Sequence, residues 1–526
     1  SMADVQEAPN VQFATISKEE GFQAYTTSPS FKKIDGFSDP EAEYFEYSND
    51  GSKVAVRKGD KIDIRNPDTG KVTKSFHIEQ LSEMSLSPLG SYLLTFWATK
   101  PGEKSEEGNL VVWDTKTGEA VGKFHQKTVL KEAWPCIRWS QDESIAGRKV
   151  TNEIHFWTGG NVCGAPVQKL RVDNVEDFSI SPGKMNYYIG VFIGEKKNCP
   201  AEVRLYKYPQ ARVLAQKTFY ADTAEFFWSP NGKHLLASVQ THVDRTGRSY
   251  YGQSGLYYLS EKSDCRVDTQ SKKDGPVHCA AWRPDGLQFV SIYGFMPPKT
   301  TSFNLKSEPV SEYGVAHRNR VMFSPDGRIV WLAGLGGGLK GDMEFWNPND
   351  LKKYGVAEAS PSAVHCEWAP DSLHVLTAIL SPRMRVDNSF QIWDYQGNLV
   401  HKQEFNALYQ VSYRPAKTSL FPKPQLKINQ QKGASSGAGG AGAAKKPTAY
   451  RHPNYRGGSE STVSKEVKSE DAKPKKYTPP SNRGPNNNSG PVGIPGDYSA
   501  PPAQGKKKNR RKKKNPQDNS NLPPGY

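Results

Sequence analysis

The sequence predicts an all-β protein built as a ring of four-stranded blades, a β-propeller. Three observations carry this: a turn mark that recurs at one period, aromatic strand signals at a fixed distance behind it, and an aromatic-rich composition. The mark, aromatic-Ser-Pro-Asp-Gly and worn variants, begins at Tyr47, Leu86, Trp139, Ile180, Trp228, Trp282, Phe323, Trp368 and Tyr413, with gaps of 39, 53, 41, 48, 54, 41, 45 and 45 residues. A period near 45 is that of a propeller blade. In Phe323-Ser324-Pro325-Asp326-Gly327 the aromatic ends a strand. Proline then presets φ for the first corner, Asp tolerates the second, and Gly supplies the positive φ that restarts the ladder.

Each remaining element follows from that punctuation. Some 17 to 29 residues behind most marks come β-rich aromatic clusters, among them Val112-Trp113-Asp114, His155-Phe156-Trp157, Leu205-Tyr206, Phe345-Trp346-Asn347 and Ile392-Trp393-Asp394. That distance leaves room for two further strands per blade. A pair of β-sandwiches is the competing architecture, but sandwiches rarely keep one turn signature at one period nine times. Few strand signals follow Tyr413, so the last blade is expected to be completed from the first 46 residues, near Phe13–Ile16 or Phe22–Tyr25. The 526 residues, 11% of them aromatic, supply ample core for such a ring.

Charge divides where the marks stop. Residues 424–526 hold 20 Lys+Arg against 6 Asp+Glu, a net +14 of the chain's +15, so residues 1–423 are expected to form a nearly neutral propeller and 424–526 a basic tail. A Gly/Ala/Ser stretch from Gly433 to Ala444 and recurrent Pro and Gly leave the tail too few apolar residues to offset the entropy of ordering, so disorder is expected there. Its sharpest feature is Lys506, Lys507, Lys508, Arg510, Arg511, Lys512, Lys513 and Lys514, eight cations in nine residues, a natural match for a phosphate backbone; a nuclear-localisation signal and a merely solvated segment are the alternatives. A second segment interleaves Tyr450, Arg451, Tyr455 and Arg456 with prolines, which suits stacking on bases or an extended lie in a protein groove.

Catalytic motifs are scarce. Gly336-Gly337-Gly338-Leu339-Lys340-Gly341 satisfies GxGxxG, but β-rich Met343-Glu344-Phe345-Trp346 follows where a phosphate-cradling loop needs a helix, so a hairpin loop is expected. No GxxxxGK[ST], HExxH or GxSxG occurs. His278-Cys279 and His365-Cys366-Glu367 fall just before turn marks, on expected inner strands, and are read as packed side chains. No enzyme activity, cofactor or metal is expected. The six cysteines form no CxxC pair, and no apolar leader or 18-residue apolar run appears, so a reduced, cytoplasmic protein with no membrane contact is expected.

Longer strings are more distinctive than the mark itself. Arg204-Leu205-Tyr206-Lys207-Tyr208-Pro209, Val243-Asp244-Arg245-Thr246-Gly247-Arg248, Tyr293-Gly294-Phe295-Met296-Pro297-Pro298-Lys299, Phe303-Asn304-Leu305-Lys306, Gly341-Asp342-Met343-Glu344-Phe345-Trp346 and Pro382-Arg383-Met384-Arg385-Val386-Asp387-Asn388 occur in order. They resemble the eukaryotic translation initiation factor 2A family over roughly residues 40–425, and Thr448-Ala449-Tyr450-Arg451 extends the likeness briefly. The resemblance implies a nine-bladed WD-type propeller with a basic C-terminal region. It also implies binding to the small ribosomal subunit, codon-dependent and GTP-independent delivery of initiator methionyl-tRNA, and tail contacts with mRNA and other initiation factors. A monomer is expected. The tail departs from the family in lacking a sustained helical period. Within the family-like strings, Arg383, Arg385, Arg318, Arg320 and Lys299 are the candidate ribosome or RNA contacts on the ring, with His317 and Asn319 in the same charged loop. Arg383 and Arg385 are the leading pair, expected to point the same way if their segment is extended. The competing functions are a scaffold of the factor 3 type, a general WD-repeat interaction scaffold, and an enzyme using the channel around His278 and His365.

Overall fold

The computed structural model describes residues 10–27, 30–99, 108–127, 129, 131–197, 199–242, 252–267 and 275–429. They form nine four-stranded antiparallel sheets, and their only helical segments are the single 3-10 turns Lys131–Ala133 and Thr418–Leu420. The protein is a nine-bladed β-propeller. Blades 1 to 8 span 44–77, 81–124, 137–171, 175–219, 223–266, 277–315, 320–358 and 365–404, each a simple meander from the inner to the outer strand. Blade 9 joins the two ends of the ring: its inner strand is Leu408–Tyr413, and Gln12–Ser17, Gly21–Thr26 and Lys32–Asp39 complete it outward.

The nine turn marks coincide with one structural position. Tyr47, Leu86, Trp139, Ile180, Trp228, Trp282, Phe323, Trp368 and Tyr413 are each the last residue of an inner strand. In the Phe323 copy, Gly327 has φ 74° and donates its N–H to the Ser324 carbonyl at 2.8 Å. The buried Ser324 hydroxyl meets Asp326 Oδ1 at 2.8 Å and accepts from the Ile329 N–H at 3.0 Å, so serine and aspartate knit the turn together. Ser48 with Asp50, Ser140 with Asp142 and Ser229 with Asn231 repeat this pairing. Adjacent turns abut around the ring: a Cβ at Gly232 would lie 1.8 Å from the Pro182 carbonyl oxygen, so only glycine fits.

Each blade is stacked between two others, so its middle strands are covered on both faces and some read as near-continuous apolar runs. Tyr188–Ile193 is buried at every residue, whereas the outer strand Leu399–Glu404 is exposed or half-buried throughout. The inner strands are tied laterally by polar groups. Gln410 holds both the carbonyl and the N–H of Phe45, at 2.7 and 3.2 Å, while the indole N–H groups of Trp228 and Trp282 reach Ser179 Oγ and the Phe227 carbonyl, each at 2.9 Å. These bonds satisfy polar groups that stacking would otherwise strand.

Closure rests on Gln12–Ser17 pairing with Leu408–Tyr413, which sets Phe13 opposite Tyr413. The fully buried Phe13 ring stacks on Tyr25 at 5.1 Å and meets Phe390 and Tyr413 edge-on at 5.2 and 5.7 Å. A charge network then ties blade 9 to blade 1: Arg65 pairs with Asp39, Lys58 lies 2.9 Å from Asp39, and Lys61 lies 3.1 Å from Asp63. The expected boundary at residue 424 is crossed by contacts. Arg328 of blade 7 donates to the Pro424 carbonyl at 2.6 Å, the Asn429 N–H donates to the Tyr354 carbonyl of the same blade at 2.7 Å, and Gln396 of blade 8 donates to the Lys427 carbonyl at 3.1 Å, so 414–429 run as a strap over blades 8 and 7. Replacing Phe13 with alanine should cost about 3–5 kcal/mol in denaturant-induced unfolding monitored by tryptophan fluorescence, through loss of a buried aromatic and the cavity left behind.

Candidate ribosome and RNA interface

The meander fixes which loops share a face. The turn between first and second strands and the turn between third and fourth lie at one end of each blade; the middle turn and the connection to the next blade lie at the other. The turn marks therefore crowd one face, and the second-to-third-strand loops share the opposite face with the inter-blade connections. Hydrogen bonds join these loops directly: the Gly336 N–H reaches the Pro361 carbonyl at 3.0 Å, Ala316 N–H the Pro298 carbonyl at 3.2 Å, and Lys18 N–H the Ala407 carbonyl at 2.9 Å. The GxGxxG string is one such loop, between the strands Val330–Ala333 and Asp342–Trp346, with Gly336, Gly337 and Gly338 all at positive φ.

All five ring candidates lie on this loop face or its margin, in three different states. Arg383 and Arg385 stand exposed in the blade 8 loop 380–388, and among the described residues neither guanidinium has a hydrogen-bond or ion-pair partner. Their segment is a turn followed by irregular backbone rather than a strand, so the alternation expected of an extended chain does not hold there. Lys299 begins the third strand of blade 6, and its ammonium lies 2.6 Å from Glu312 Oε1; that hydrogen bond raises its pKa. Arg320 begins the inner strand of blade 7, exposed at the channel mouth. Its positive charge opposes the upward pKa shifts that burial imposes on Glu225 in blade 5 and Cys366 in blade 8, the latter pushed up to about 11.

Arg318 differs from the other four. It is 5% exposed, pairs with Glu344, donates to the Tyr313 carbonyl at 3.0 Å, and lies over the Trp346 ring at 5.7 Å from its centroid. Its charge is committed inside the stack between blades 6 and 7, and it is not available to a ligand on the loop face. Sequence gave no way to separate it from Arg320 two residues on. It forms one wall of a cavity of about 350 Å³ lined also by His317, Leu332, Asp342, Met343 and Val356.

The histidines near the marks lie on inner strands and are half-buried. A ring nitrogen of His278 bonds the Gly294 carbonyl at 2.8 Å, and His365 meets Glu367 Oε2 at 3.2 Å. Burial pushes the inner-strand Glu46 up to about 7, where Ser85 Oγ donates to it at 3.1 Å. Among the described residues no group of three or more His, Cys, Asp or Glu side chains is placed to hold a metal ion. The tail candidates Tyr450, Arg451, Tyr455, Arg456 and Lys506–Lys514 lie outside the described residues.

The fold and the loop face define a nine-bladed propeller with a basic loop set apart from its turn ring. Residues 216–411 match the family model described as eukaryotic translation initiation factor eIF2A. Eukaryotic translation initiation factor 2A of Schizosaccharomyces pombe is 37% identical over 448 residues, covering 82% of this chain and 75% of that protein. The Dictyostelium discoideum protein of the same name is 34% identical over 457 residues, covering 85% and 72%. A solved structure described as a crystal structure of the eukaryotic initiation factor superposes with a TM-score of 0.69 at 35% identity, covering 77% of this chain and 99% of that one. The chain belongs to the eukaryotic translation initiation factor 2A family, and its role is that of a translation initiation factor.

Arg318→Ala should destabilise the ring by about 1–3 kcal/mol in chemical unfolding, because it empties a buried site and leaves half-buried Glu344 with Lys353, at 2.9 Å, as its remaining cation. An unchanged unfolding midpoint with weakened RNA binding would instead return Arg318 to the surface set.

Proposed function

We propose that the propeller docks on the small ribosomal subunit through its loop face, with Arg383 and Arg385 among the contacts, and that the basic tail holds RNA beside it. In this reading the protein promotes codon-dependent delivery of initiator methionyl-tRNA without GTP, acts in the cytoplasm as a monomer, and divides its labour between a rigid ring and the tail beyond the strap. The observation that carries the reading is the pair of exposed arginines, without partners among the described residues, on a loop whose backbone the ring holds. Two unpaired guanidiniums suit phosphate oxygens, which they can bind bidentately. The absence of a GxxxxGK[ST] loop from the sequence accords with GTP independence. Tethering eight cations to a docked ring raises the local concentration of RNA near it.

Sedimentation with purified small subunits across a salt series tests this. Arg383→Ala/Arg385→Ala should weaken binding about tenfold and flatten the log-log salt dependence by about one unit per arginine. A chain ending at residue 429 should lose up to about 5.6 units of slope toward single-stranded RNA, the share of the eight clustered cations. Binding that is unchanged in both variants would remove the proposal.

A further inference from the structure

Asn388 was part of a family-like string but carried no role in the sequence. It is 1% exposed, and every polar group on its side chain is used. Nδ2 donates to the Met384 carbonyl at 2.8 Å and to the Val386 carbonyl at 3.3 Å, while Oδ1 accepts the Leu408 N–H at 2.9 Å. Its own carbonyl accepts the Phe405 N–H at 2.9 Å, and the Ser381 N–H returns to the Leu408 carbonyl at 2.8 Å.

Two features of this arrangement go beyond ordinary satisfaction of a buried amide. The carbonyls it grips belong to the residues on either side of Arg385, so the backbone is held in the peptide unit just before that arginine and again one residue beyond it. The Met384 N–H donates to the Leu380 carbonyl at 3.0 Å, which closes the turn that carries Arg383. The far end of the amide holds Leu408, the first residue of the inner strand that pairs with the N-terminal strand to close the ring. One buried side chain thus joins the arginine loop to the clasp.

We infer that Asn388 is a positioning residue that presents Arg383 and Arg385 to their partner and couples occupancy of that loop to ring closure. The inference rests on the loop-face reading above. A loop held before binding loses less freedom when bound, so the brace contributes affinity without touching the partner. Coupling is reciprocal: a partner that binds the braced loop better than the loose one also stabilises the Leu408 end of the brace.

A double-mutant cycle on the full-length chain with purified small ribosomal subunits tests it. Asn388→Ala should weaken binding about fivefold to tenfold in the parent, within the range of coupling seen between residues of one network, and have no effect in the Arg383→Ala/Arg385→Ala background. A purely structural role would lower affinity equally in both backgrounds, and that additive result overturns the inference while leaving the arginines as contacts. If the double arginine variant binds like the parent, the loop-face reading falls and the inference with it. The unsubstituted protein gives an independent check should Asn388→Ala fail to fold. Hydrogen exchange at the Phe405 and Leu408 amides should slow at least threefold when small subunits are added. Unchanged exchange at both would overturn the coupling.

Discussion

The whole architecture hangs on one strand pairing, between residues near 13 and residues near 413. Each blade hides its apolar faces against two neighbours, which is possible for all nine only if the first and last meet. The antiparallel pairing of Gln12–Ser17 with Leu408–Tyr413 makes them meet, and it covers the edges these two strands would otherwise present. Around it the chain gathers three kinds of contact: the Phe13, Tyr25, Phe390 and Tyr413 rings inside, the Arg65 and Asp39 pair toward blade 1, and the 414–429 strap across blades 8 and 7. Most contacts in a propeller are local to a blade or its neighbour. This one spans four hundred residues of sequence, so its loop-closure entropy must be offset by packing at one seam.

Closure also separates two working surfaces. On one face the turn marks interlock through glycines and serines, and beside the closing seam they border a cavity of about 640 Å³ lined by Asp50, Pro67, Pro370 and Arg414. On the other, longer loops of unequal length carry the charges that differ from blade to blade. Arg383 and Arg385 stand out there because their loop is both uncommitted and braced. Lys299 is engaged by Glu312 at the surface, where such a pair contributes little and can be given up to a partner. Arg318 cannot be released so cheaply, because Glu344 and Trp346 hold it out of water. The same formal charge therefore has three meanings within one face, set by burial and by the carboxylate nearest to it.

The repeat was legible because it is local chemistry. A proline, an aspartate and a glycine in a row act through their own dihedrals, so nine marks place nine inner-strand ends, and the aromatic clusters behind them fall on third strands. The strands near Phe13 and Phe22 were visible as apolar segments with no blade of their own. What the sequence did not reveal depends on contacts across distance. Arg318 and Arg320 sit in one short string, and only the stacking of Trp346 beneath the first decides which is buried. Asn388 reads as a turn residue until Leu408 arrives from the next blade. The ninth mark looks like the others, yet Tyr413 leads into the strap, because its hairpin partner comes from the other end of the chain.

A ring with one docking face makes a directional claim, and lysine-reactive crosslinking of the full-length protein on purified small ribosomal subunits addresses it most directly. Lys18, Lys196, Lys299 and Lys340 report on the loop face, while Lys116, Lys233, Lys306 and Lys352 report on the turn face. The account predicts crosslinks to the subunit from the first set, with the second set unlinked. Crosslinks concentrated on the second set would contradict it, since the face that meets the ribosome would then be the interlocked turns.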